Sequence, residues 1–157
     1  MIQKMKSDLH LKQQLYDQCV DFVEKRHLKI QNQIKEIQEA LTSETKSSAG
    51  DKHETGRAML QLEREKVGQQ LSEIEKVIEN LSKIDVAKSS DTIGLGSVIF
   101  TSSANYFIAI SAGQLEVNSE LFYAISPTTP IGLLLTGKNS GDEIVFRDQS
   151  FVIKDSY

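Results

Sequence analysis

The stretch SSAGDKHETGRA, residues 47–58, decides how the first half of the chain folds. It interrupts two long helical patterns. Before it, Ile30, Ile34, Ile37 and Leu41 step by four, three and four, and Leu15, Cys19 and Phe22 form a similar stripe upstream. After it, Leu60, Val67, Leu71, Ile74, Ile78 and Leu81 step by seven, four, three, four and three. This is the apolar seam of a coiled coil. The other positions are largely Gln, Glu, Lys and Ser. A polar helix with one narrow apolar stripe must bury that stripe against a partner. The nearest partner lies in the same chain. The spacing therefore predicts helices over 8–42 and 51–84, each on the order of 50 Å long at about 1.5 Å per residue. They form an antiparallel hairpin with its turn near 43–54.

Composition changes abruptly beyond the hairpin. Of residues 1–90 only Gly50, Gly56 and Gly68 are glycine and none is proline; both prolines and the other six glycines follow. The break near AKSSDTIGLG, residues 87–96, separates a hairpin domain (1–88) from a second domain (93–157). There the period becomes two. GSVIFTSS, NYFIAIS and QLEV read as strands, and DEIVFRD with SFVIKDS as a closing hairpin after an NSGD turn. TTPIGLLLTGK reads as a short helix, capped by Thr128 or Thr129, with Pro130 in its first turn and Gly137 at its end. The expected fold class is α+β: a long helical hairpin, then a small, mostly antiparallel sheet with one short helix.

The charge is −4 overall. Residues 91–157 carry 3 basic and 7 acidic side chains, whereas residues 1–90 carry 15 of each. An acidic chain is a poor binder of naked DNA or RNA. No apolar run approaches the roughly 20 residues that cross a bilayer, so no membrane partner is expected. MIQKMKSDLH has no apolar signal core, and the lone Cys19 cannot form an intrachain disulfide; a reducing cytoplasm is expected.

The C-terminal run ISPTTPIGLLLTGKNSGDEIVF, with its closing FVIKDSY, resembles the ending of the Gre-type bacterial transcription elongation factors. The matching positions are Ile125, Ser126, Thr129, Pro130, the helix through Leu135, Gly137, Lys138, Gly141, Asp142 and Tyr157. The resemblance implies an FKBP-like C-terminal domain after a coiled-coil hairpin. It also implies a partner, bacterial RNA polymerase, held by that domain at the rim of its secondary channel while the hairpin tip enters. The transcript is met only inside that complex. In such factors a Gly-Asp-x-x-Glu motif at the tip helps the polymerase hold a second Mg²⁺ and cleave backtracked RNA. Gly50, Asp51 and Glu54 fall on that motif, so the resemblance assigns Asp51 and Glu54 the catalytic and metal-holding role. The ion is shared with the polymerase and not bound by the chain alone. Gly50, Lys52, His53 and Arg57 are the expected polymerase-contacting residues.

Mg²⁺ takes oxygen ligands and often only one or two carboxylates beside waters and phosphates, and a second ion is what two-metal phosphoryl chemistry uses. The same two carboxylates also suit helix capping, with Asp at the N-cap and Glu three residues on. The family motif continues Asn-Ala-Glu-Tyr, whereas this chain has Thr55, Gly56, Arg57 and Ala58, and His53 replaces a small residue. A channel binder that does not cleave is therefore an alternative. Others are a prolyl isomerase or chaperone built on the FKBP-like domain, and a coiled-coil adaptor. A transition-metal site on Asp51, His53 and Glu54 would need a further ligand that the sequence does not offer.

Overall fold

The structure, a computed structural model, describes residues 2–46 and 51–157, with the backbone alone at 45–46 and 51–53. Helix α1 runs Ile2–Lys46 and helix α2 Asp51–Ser82. Both therefore form where the seam predicts, and α1 extends well beyond 8–42 at both ends. The described chain forms two compact units: Val23–Ile78, and residues 1–22 together with 79–157.

Val23–Ile78 is the helical pair. Its buried apolar residues are Val23, Ile30 and Ile37 from α1 and Val67 and Ile74 from α2. Among the described residues the unit consists of these two helices, and each presents one apolar stripe for burial. Phe22 is half-buried and Val23 takes the fully buried position beside it. No helix among the described residues is long and apolar enough to cross a membrane.

The other unit holds a six-stranded sheet: β1 (Val98–Thr101), β2 (Asn105–Ile108), β3 (Gly113–Val117), β4 (Glu120–Ile125), β5 (Glu143–Phe146) and β6 (Gln149–Ser156), in the order β3-β4-β2-β1-β6-β5. Every pairing is antiparallel except β2 with β4, which is parallel, so the sheet is mixed. The β3–β4 hairpin folds back on β2 and brings its second strand, not its first, against it. Both hairpins, β3–β4 and β5–β6, turn through two residues at positive φ: Asn118 and Ser119 (52° and 65°), and Arg147 and Asp148 (52° and 64°). That geometry matches the right-handed twist of paired strands.

Alternation divides the sheet into two faces. Ile99, Ile108, Ile144, Phe151 and Ile153 form a buried cluster with Ile93 and with Leu135 of helix α3 (Pro130–Leu135). Val98, Phe107, Phe122 and Leu115 face the other way and are also buried. In the same unit the N-terminal part of α1 buries Leu15 and Cys19, and Gln18 Nε2 donates to the Glu116 carbonyl of edge strand β3 at 2.9 Å. The opposite edge, β5, leaves Val145 64% exposed.

Candidate functional site

Asp51 is the first helical residue of α2, so Asp51, Lys52, His53 and Glu54 make up its first turn. Residues three apart on a helix are neighbours on its surface, and the spacing places the Asp51 and Glu54 positions on one side of that turn. The positive end of the helix dipole favours carboxylates there. Glu54 is exposed and Arg57 is half-buried. Gly50, and the side chains of Asp51, Lys52 and His53, lie outside the described residues. The last described turns of α1 come close to this turn: a Cβ at Gly56 would lie 3.7 Å from Glu44 Oε1. Glu44 is thus an acidic residue beside the first turns of α2 that the linear motif does not reveal.

Mg²⁺ demands near-octahedral oxygen coordination. Two carboxylates from one helical turn supply a minority of those positions.

The C-terminal motif can be followed residue by residue. Thr129, not Thr128, caps α3: its Oγ1 accepts from Gly132 N at 3.2 Å and donates to the Ser126 carbonyl at 2.7 Å. Pro130 opens the helix, where its missing N–H costs nothing. Gly137, at φ +86°, turns the chain out of it and donates its N–H to Ile93 O at 2.8 Å. The last carbonyls are taken by Thr136 Oγ1, bonded to Gly132 O at 2.7 Å, and by Lys138 N, bonded to Leu135 O at 3.1 Å. The Lys138 side chain is exposed, and backbone and hydroxyl donors do the capping. Gly141, at φ +95°, occupies the third position of the NSGD turn, closed by Asp142 N to Asn139 O at 3.1 Å. Tyr157 is buried, with its backbone paired to Val98 in both directions. Nearly every residue of the motif holds the backbone of this unit in place.

The aromatic residues pack on one another. Phe100 meets Phe122 edge-on with centroids 5.7 Å apart and Tyr157 at 6.2 Å; Tyr106 lies 6.5 Å from Phe151. Phe107 and Phe122 are fully buried. Those two rings, consumed in the core, do not line a cleft for a proline ring, which weighs against the isomerase alternative. Tyr123 is an exposed exception, paired with half-buried Tyr106 at 6.2 Å.

Compared with known proteins, the sequence matches no family model and no curated protein. Among solved structures it is similar to the transcription factor Gfh1, at 20% identity over 90% of this chain and 92% of that one, with a TM-score of 0.34.

Proposed function

We propose that the chain is a Gre-type factor acting on bacterial RNA polymerase, and so working in the bacterial cytoplasm. Residues 93–157 would dock on the enzyme, and the turn between α1 and α2 would enter its secondary channel. The observation that carries the reading is the position of Asp51 and Glu54. The Gly-Asp-x-x-Glu spacing coincides with the first turn of α2, at the junction of two long helices, in a chain whose C-terminal motif has the Gre order. Asp51 and Glu54 would contribute oxygen ligands, or oriented acceptors, to an ion held mainly by polymerase and transcript. When bound, that ion supplies Lewis-acid activation of water for phosphodiester hydrolysis. The chain's own part is positioning, with Lys52 and Arg57 offering cations to phosphate or polymerase carboxylates. Arg57, where the family motif carries an acidic residue, favours the variant of this reading in which the factor occupies the channel without stimulating cleavage.

The test is a backtracked bacterial elongation complex with Mg²⁺, read by transcript length and by protection of the channel from chemical modification. Cleavage lost in the Asp51→Asn/Glu54→Gln double variant supports a cleavage factor. Protection without cleavage supports a channel modulator. Absence of binding to core polymerase overturns the reading.

A further inference from the structure

The seam of α1 does not stop where α2 ends. Ile2, Met5 and Leu9 continue it at three- and four-residue steps and are exposed, Ile2 at 72% and Met5 at 70%. The next seam position holds Lys12, which is only 3% exposed. A buried ammonium is costly unless its charge and its donors are met. Lys12 Nζ donates to the Lys88 carbonyl at 2.9 Å and lies 5.6 Å from the centroid of the Tyr157 ring. Lys4 and Asp155 form an ion pair at 3.8 Å; among the described residues Lys12 forms none. Asp8 and Asp85 act on it at longer range, and burial outweighs them, holding the amine below its ordinary range.

These residues wall one cleft of about 380 Å³. Its sides are the exposed seam residues of α1, the segment 86–89, and Tyr157; among the described residues the lining ionised side chains are Lys6, Lys12 and Lys88 against Asp8. Ligand clefts of this size are mostly apolar with a few fixed polar groups. Three ammonium groups against one carboxylate favour an anion. One buried cation beside Asp8 favours a single negative charge over a dianion.

We propose that this cleft binds a small amphiphile carrying one carboxylate, its apolar body on Ile2, Met5 and Leu9 and its head at the Lys12 ammonium. The proposal is independent of the polymerase reading and stands or falls without it.

The test uses the full chain and decanoate, below its micelle-forming concentration, by titration calorimetry. Decanoate binds the wild type saturably at one per chain and Lys12→Met at least tenfold more weakly. Lys12→Arg retains binding, and decanol binds the wild type no better than decanoate binds Lys12→Met. If circular dichroism shows that Lys12→Met does not fold, Met5→Asp, at a solvent-facing position, carries the test and loses the ligand. No binding to the wild type overturns the proposal. Equal affinity in wild type and folded Lys12→Met, or unchanged affinity in Met5→Asp, overturns it too. So does a wild-type dimer in sedimentation velocity that Met5→Asp dissociates, because a second copy would then cover the stripe.

Discussion

The carbonyl oxygen of Ser126 occupies the space that a side chain at Gly132 would need. A Cβ there would overlap it and would also come within 2.8 Å of Thr129 Oγ1, the atom that caps α3. Backbone cannot yield as a flexible side chain can. Gly132→Ala is therefore expected to destabilise the C-terminal unit by about 2 kcal/mol or more, in the range of overpacked cores. Denaturant melts of Gly132→Ala against wild type measure it; a loss below about 0.5 kcal/mol would mean that the loop at Ser126 moves aside.

The opposite result is expected at Gly56. Its Cβ would meet the Glu44 carboxylate at 3.7 Å, an ordinary contact, and the glycine lies inside α2. Alanine in a helix interior is better than glycine by about 0.8–1 kcal/mol. Gly56→Ala should raise the urea midpoint, and a lowered midpoint would show that the site needs the glycine for packing not visible in the helix backbone.

The β3–β4 turn places Ser119 at φ 65°. An L-residue in that region costs about 1–2 kcal/mol, and glycine loses part of that gain to chain entropy. Ser119→Gly, which makes the favoured Asn-Gly pair with Asn118, should stabilise the protein by about 0.5–1 kcal/mol. Differential scanning calorimetry reads the shift; no rise in midpoint would count against a strained turn.

Burial pushes the Cys19 thiol up from 9.0 to about 12. The unfolded thiol ionises near 9, while the folded one keeps its proton. The associated stability is complete below pH 9 and is lost as pH rises through 12. Tyr157, raised by burial and then by Asp8, adds a loss of the same sign above pH 10. The decline between pH 9 and 10 should therefore be shallower in Cys19→Val. Parallel curves for the two proteins would remove Cys19 from the account.

The helices were legible because a seven-residue repeat survives over many turns, but their ends were not: α1 runs on to Lys46 and α2 already begins at Asp51, inside the stretch read as the interruption. Strand β4 was not. ELFYAI, residues 120–125, alternates between exposed Leu121 and Tyr123 and buried Phe122 and Ala124, but it is nearly all apolar, so the period is faint in the letters. Its parallel pairing with β2 is set by the return of the β3–β4 hairpin, which no local pattern encodes. The C-terminal motif was legible for a structural reason. Gly137, Gly141 and Thr129 are each demanded by a positive φ or a cap, so they record the fold of this unit more than any activity. At the candidate site, the spacing of Asp51 and Glu54 was visible, whereas Glu44 arrives from the other helix and cannot be seen from the motif. Lys12 carried a signal that composition hides: counting back three from Leu15 along the seam lands on a lysine, a charged residue where the repeat asks for an apolar one.

The two margins of the sheet are not kept alike. On β3 a glutamine from α1 has already claimed the outward carbonyl of Glu116. On β5 the register turns the backbone groups of Glu143 and Val145 outward, beside a valine open to water. Glu143, whose carboxylate accepts from the Ser150 hydroxyl, is the one charge on that strand. A lone acidic residue is a thin guard for a bare strand. Crowded solutions of the folded chain should therefore begin to self-associate along β5, and the acidity of residues 91–157 then acts as a colloidal safeguard.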